Sequence, residues 1–251
     1  MPFIVLLWVC LQSFIRFFNM KDFIAGEVVY FNKPLDWTSF DLVNKFRYQL
    51  SRKLQVKKIK VGHAGALDPK ASGVLIVCTG HATKRIDEFQ AQKKEYIATL
   101  TLGSTTPSFD LETAIDAIYP TGHITREKVE NVLIRFIGAI SQTPPAFSAC
   151  NIDGKRAYQL ARKGKEVTLK AKELTIDVLE LIDCQLPVIK IRVICSKGTY
   201  IRALARDIGQ ALDSGAHLTT LERTRIGDVT IDKCMNINDI ETFLNEATVS
   251  N

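Results

Sequence analysis

This chain of 251 residues is poor in the side chains that bind metals. It has six cysteines, at 10, 78, 150, 184, 195 and 234, and four histidines, at 63, 81, 123 and 217. No CxxC occurs and no cysteine stands at zinc-ligand spacing from a histidine, which removes the usual zinc-site readings. Single cysteines at the ends of apolar runs, VLIVC and IRVIC, read as buried reduced thiols and favour a reducing, cytoplasmic location. There is no glycine-rich phosphate loop, HExxH or GxSxG, so kinase, zinc-protease and lipase chemistry have no support. Internal repeats and low-complexity stretches are also missing.

Long apolar runs are missing too. The most apolar stretch, MPFIVLLWVCLQSFIRFF, is broken by Arg16 and falls short of the roughly 18–20 residues of a membrane span. It lacks the basic start and small-residue cleavage site of a signal peptide. Met20 follows at once. Residues 1–19 are therefore read as a mis-called extension outside the fold, with a short membrane-surface anchor as the alternative. Residues 20–251 are read as one domain, because neither charge nor composition shifts sharply along them.

Acids are missing between Asp41 and Asp68, where seven Lys or Arg occur. The whole chain carries a formal charge of +6, which fits an anionic partner without requiring one. A charge run is ordinarily a solvated face; here it also has the composition of a phosphate-contacting patch. The acid that ends the run sits in HAGALDPKASG, from His63 to Gly73. An Asp-Pro pair is ordinarily a helix start or a turn. Around this one, however, Gly62, Gly65, Gly73, Ala64, Ala66 and Ala71 leave almost no side-chain bulk. Such a loop lets a planar ligand or another backbone approach a carboxylate closely. Asp68 is thus placed as a nucleophile or base facing a polyanion.

The periodicities alternate between helix and strand without a βαβ rhythm, which predicts an α+β fold. Strands are expected at 27–32, 74–80, 95–103, 174–182, 188–195 and near 226–231. In the third, Tyr96, Ala98, Leu100 and Leu102 share a face. Helices are expected over 39–50, with Phe40, Val43, Phe46 and Leu50 inward and Ser39 as cap, and over 126–136. Another runs over 200–212, with Ile201, Leu204, Ala205 and Ile208 inward and Thr199 as cap. Residues 157–164 begin helical, a short helix lies near 238–246, 105–112 is a loop, and 142–149 is an extended proline-rich connection. Arg202 and Arg206 fall one turn apart on one helix face. Alone they would be surface residues; paired with a carboxylate, Arg202 would be a buried two-bond partner. Tyr96 and Tyr200 read as core residues or as platforms for a nucleic-acid base.

Taken in order, NKP and TSF (32–40), GHAGALDPKASGVLIVCTGHATK (62–84), KEYIATLTLG (94–103), TPPAFSA with GKRAYQLARKGKEV (143–167), CSKGTYIRALARDIG (195–209) and GAHLTTLERTRIG (215–227) resemble the TruB family of tRNA pseudouridine synthases. The resemblance spans about residues 27–233. It implies a pseudouridine synthase fold with a central, mostly antiparallel mixed sheet flanked by helices and loops. It also implies isomerisation of the T-loop uridine at tRNA position 55 with no metal and no organic cofactor. By resemblance Asp68 is the catalytic carboxylate, Tyr96 stacks on the flipped uracil, and Arg202 pairs with Asp68. Tyr200 and Leu221 wall the pocket, and His63 lies near the place the flipped nucleotide leaves. Lys33 and Pro34 serve the structure. The implied partner is the tRNA T stem-loop, met by a cytoplasmic monomer with no membrane contact; residues 45–60 and Lys155, Arg156, Arg162, Lys163 and Lys165 would meet phosphates.

Three departures stand out. Ala64 replaces the family's threonine, TTPSFDLE replaces a more acidic loop, and the sequence leaves no room for the RNA-binding PUA domain that many members carry after the last motif. A non-catalytic RNA-binding or tRNA-folding protein on the same scaffold is the competing expectation. A guide-RNA-dependent synthase is a third. Asp68, Tyr96 and Arg202 together argue against a dead site.

Overall fold

The computed structural model describes residues 20–148, 150–152, 154–165 and 167–249. Expectations for residues 1–19, and for Ala149 in the extended connection, lie outside these. The described chain forms two compact units. One takes the residues up to Pro69, Gly73–Gln90 and the segment from Ile231 onward; the other takes Lys70–Ser72 and Ala91–Thr230.

In the first unit the strand Val28–Lys33 lies antiparallel to Ala71–Thr79, with Val28 opposite Cys78 and Lys33 opposite Gly73. Val61–His63 pairs antiparallel with the far end of the same strand, and Met235–Asn236 adds in parallel beside Val28–Lys33. The helix Ser39–Lys53 covers this sheet because its apolar residues recur at helical spacing. Leu42, Val43, Phe46 and Leu50 are buried and share one core with Phe23, Phe31, Leu75 and Ile240. Phe31 and Phe46 meet edge to face at 5.1 Å between ring centres.

Two expectations for this helix change. Its cap is Thr38, not Ser39: the Thr38 hydroxyl accepts from Asp41 N–H at 3.0 Å, and the Asp41 carboxylate accepts from Thr38 N–H at 3.0 Å. Phe40 points outward and is exposed, since the buried stripe passes through Ser39 instead. Lys33 is fully buried, as a fold residue should be, and its ammonium donates to Pro34 O at 2.8 Å and Trp37 O at 2.6 Å. It thereby ties down the turn that leads to the cap.

The second unit is built on an antiparallel sheet. Its strands run in the order Ala216–Ile226, Lys94–Leu102, Val188–Cys195, Lys172–Gln185 and Gly138–Gln142. Alternation along Lys94–Leu102 buries Lys94, Tyr96, Ala98, Leu100 and Leu102, as the period-two pattern requires. The long strand Ala216–Ile226 was not foreseen; the expected strand near 226–231 catches only its end and the hairpin partner Val229–Thr230. Its charges (Glu222, Arg223, Arg225) hide the alternation, and Arg223 is itself buried. The helix Ile201–Ala211 packs on this strand. Gly209 permits the approach, because a Cβ there would come within 2.4 Å of Ala216 N. Thr199 does not cap this helix; its hydroxyl donates back to Ser196 O, and the N-cap residue is Tyr200, whose side chain makes no capping bond. The α+β class with a mostly antiparallel, mixed sheet holds: among the described residues, parallel pairings occur only in the first unit.

Replacing Thr38 by Ala removes the capping box and should cost about 1 kcal/mol of stability, read as a lower urea midpoint at unchanged slope. Ser39→Ala, by contrast, should not act through a cap, and an equal loss of N-terminal helix order in both variants would contradict the assignment.

Candidate active site

Asp68 lies in the loop that joins Val61–His63 to Ala71–Thr79, in a turn rather than at a helix start. The loop is held through its main chain. Ala64 N–H donates to Ile76 O at 2.8 Å. Leu67 N–H donates to the Ser39 hydroxyl at 2.8 Å, and the same hydroxyl reaches Leu67 O at 3.2 Å. Pro69 O accepts from Asp36 N–H at 2.9 Å. The residues on both sides of Asp68 are therefore pinned to the segment that starts the helix, while Asp68 stays half-buried. Gly65 supplies the positive φ of 100° that lets the loop turn within so few residues. His63 ends the first strand of the same hairpin, opposite Val77, and is half-buried.

In the second unit Tyr96 and Leu221 occupy neighbouring strands. Tyr96 pairs with Arg223 and Leu221 with Ala98, so all four side chains share one face of the sheet, and each is buried. Tyr200 and Arg202 fall on the first turn of Ile201–Ala211. Arg202 is 3% exposed, the opposite of a surface arginine. Its guanidinium donates to Ser108 O at 3.0 Å and Phe147 O at 2.9 Å, and its Nε lies 3.6 Å from the Asp110 carboxylate.

Sequence reasoning missed Asp110. It sits in TTPSFDLE, read there only as a loop that departs from the family. The loop is in fact tightly bonded. Thr106 and Ser108 hydroxyls donate to Asp110 O, Glu112 N–H donates to the Asp110 carboxylate at 2.9 Å, and Leu218 N–H donates to Phe109 O at 2.9 Å. The signal available in the sequence was the run of short hydroxyl residues flanking an acid, the composition of a self-bonded turn. Arg206, the partner expected on the same helix face, stacks over Phe109 at 5.0 Å and bonds Asp207 and Thr143 O.

Lys94 is a further buried cation. Burial first, and Arg223 beside it second, pull its ammonium down from 10.5 to about 8. Cys78 and Cys195 are buried, and burial pushes both thiols up to about 11, so they stay protonated and unreactive at neutral pH. No cluster of three or more potential metal ligands, and no helix long and apolar enough to cross a membrane, occurs among the described residues.

The arrangement offers a carboxylate on a rigid, side-chain-poor loop, and separately an aromatic sheet face beside a buried arginine. The comparisons with known proteins agree with one another. The family model described as TruB family pseudouridylate synthase, N-terminal domain, matches residues 51–201, and that of the tRNA pseudouridylate synthase B C-terminal domain matches residues 202–250. The protein named tRNA pseudouridine synthase B from Parabacteroides distasonis is 75% identical over 228 residues, 91% of this chain and 97% of that protein. The protein of the same name from Flavobacterium johnsoniae is 47% identical over 225 residues, 89% of this chain and 98% of its own length. Among solved structures, a chain of the archaeal box H/ACA sRNP Nop10–Cbf5 complex superposes with a TM-score of 0.63 at 26% identity, covering 89% of this chain and 55% of that one. A chain of an H/ACA RNP bound to a substrate RNA containing 2'-deoxyuridine gives 0.61 at 27%, covering 86% and 53%. This chain thus spans about half the length of those two.

The low ammonium of Lys94 sets a sign for stability against pH. Between pH 8 and 10.5 the unfolded chain binds more protons at this lysine than the folded one, so its contribution to stability rises with pH across that window and is least favourable below pH 8. Chemical denaturation of the wild type and Lys94→Met through this window should show the difference moving in favour of the wild type as pH rises. A difference that is flat or moves the other way would show the ammonium is not disfavoured by folding.

Proposed function

The chain belongs to the TruB family of pseudouridylate synthases and is an RNA-binding isomerase, a tRNA pseudouridine synthase; from that premise we propose that it converts the T-loop uridine at tRNA position 55 with Asp68 as the catalytic carboxylate. The reaction breaks the N1–C1′ bond, turns the uracil, and joins C5 to C1′; the C5 proton must leave and N1 must gain one. A carboxylate near C1′ and C5 serves the electron-poor sugar carbon or the departing proton. The observation that carries this reading is the anchoring of Asp68: main-chain bonds on both sides hold the residue, and glycine and alanine leave space before it. Precision of this kind is what a reacting group needs.

The target base must first leave its stack. Tyr96 then stacks on the uracil, Leu221 and Tyr200 close the pocket walls, and His63 stands by the place the nucleotide has left. Arg202 is the cation that the family resemblance assigns to the catalytic carboxylate. The exposed cations of residues 45–60 and the cluster Lys155, Arg156, Lys163 and Lys165 meet phosphates, contacts that orient the T stem-loop without reading its sequence. Arg162 contributes less freely, since it is paired with Glu112. Residues 20–251 are its catalytic part, and the enzyme acts as a cytoplasmic monomer.

Incubation with an unmodified tRNA transcript, followed by carbodiimide treatment and reverse transcription, should give a new stop at the T-loop uridine. Asp68→Asn should lower the rate by roughly 10²–10⁴-fold while tRNA binding persists. Arg202→Lys should lose about 10²-fold, because an ammonium cannot span the carbonyls that the guanidinium fork reaches. No stop from the wild type, with tRNA still bound, would favour a tRNA-folding protein on this scaffold.

A further inference from the structure

The helix that carries Tyr200 and Arg202 begins without a side-chain cap of its own. Its start is held instead from a distance of 58 residues. Gln142 ends the strand Gly138–Gln142, where it pairs with Lys172, and is 1% exposed. Its side-chain oxygen accepts from Tyr200 N–H at 2.9 Å, and its side-chain nitrogen donates to Tyr200 O at 3.2 Å. A carboxamide carries one acceptor and one donor group at fixed spacing, so it grips the main chain of a single residue from both sides. Nothing shorter reaches, and an acid of the same shape cannot donate.

The chain that follows Gln142 adds further bonds to the same helical turns. Thr143 O accepts from Arg206 and Phe147 O accepts from Arg202 at 2.9 Å. Pro144 and Pro145, between them, stiffen the segment and have no N–H to satisfy. Beyond it, the Cys150 sulfur lies 3.4 Å from the Tyr200 hydroxyl. Tyr200 is therefore held at its main chain by Gln142 and touched at its tip by Cys150, and Arg202 is held at one fork end by Phe147.

We propose that Gln142 is a positioning residue of the isomerisation: by clamping the main chain of Tyr200 it sets the first turn of the helix, and with it the pocket wall Tyr200 and the guanidinium of Arg202. This rests on the function proposed above. Gln142 touches no reacting atom. It acts where displacement is most damaging, since misplacement of about 1 Å in supporting structure costs on the order of 10²-fold in rate.

The test compares wild type, Gln142→Ala and the isosteric Gln142→Glu in the full chain. Three quantities are measured: the single-turnover rate of pseudouridine formation at saturating tRNA transcript, the tRNA dissociation constant by filter binding, and the melting temperature. Both variants should lose roughly tenfold to a hundredfold in rate. Their tRNA dissociation constants should change less than about threefold, and they should still melt cooperatively. Gln142→Glu carries the test if Gln142→Ala does not fold. Rates within about twofold of wild type would overturn the inference, as would a parallel fall of rate, affinity and cooperative melting, which marks a role in the fold alone. Absence of pseudouridine from the wild type itself would instead refute the function on which the inference rests.

Discussion

The buried charge of Arg202 organises two loops of the second unit. A guanidinium does not lose its proton inside a protein, so enclosing Arg202 obliges the chain to bring partners to it. It does so from two places far apart in sequence: the loop of Ser108 and Asp110, and the segment ending at Phe147. Both are irregular segments. Each gives the arginine a carbonyl, and the first adds a carboxylate. The charge therefore specifies the course of two loops as well as its own position. Truncating it would leave those acceptors buried with lost partners, a larger cost than the bonds themselves contribute in water.

The first unit solves a similar problem without a buried ion at its working loop. The loop around Asp68 is fixed by bonds between main-chain groups and by a single hydroxyl, that of Ser39, which serves the N–H and C=O of Leu67 at once. Ser39 is the first residue of a helix whose stripe of Leu42, Val43, Phe46 and Leu50 is seated in the core. Core packing thus reaches the carboxylate through one residue. Lys33, buried beneath the preceding turn, fixes the other approach to the same serine.

Regular elements were legible wherever burial imposed a period. Lys94–Leu102 alternates and Val188–Cys195 nearly so, and both were found close to their bounds. Ala216–Ile226 was missed because buried Arg223 looks polar to any hydropathy argument, although its environment is a packed sheet face. The cap of the first helix was misplaced by choosing between adjacent hydroxyl residues: only the carboxylate of Asp41, three residues after Thr38, separates that residue from Ser39, while Ile201–Ala211 has no side-chain cap to find. Asp68, Tyr96 and Arg202 were singled out because each sits in a continuous, distinctive motif. Asp110 and Gln142 were not, since each matters through a partner about 58 to 92 residues away, and single-sequence reading has no access to contacts at that separation.

Anchoring through the main chain has an evolutionary side. The bond that holds residue 64 runs from its N–H to Ile76 O, and those around Asp68 use the N–H of Leu67 and the carbonyls of Leu67 and Pro69. None of these depends on what side chain the anchored residue carries. Ala64 is fully enclosed, so size is selected there, but a hydroxyl is not needed for the bond that positions it. A change of side chain at this site therefore acts through packing, while the bond that positions the residue, and with it the address of the carboxylate, stays. Replacement at Ser39 is constrained far more tightly, although that residue lies in a different part of the sequence and would draw no notice in a motif search centred on the acid.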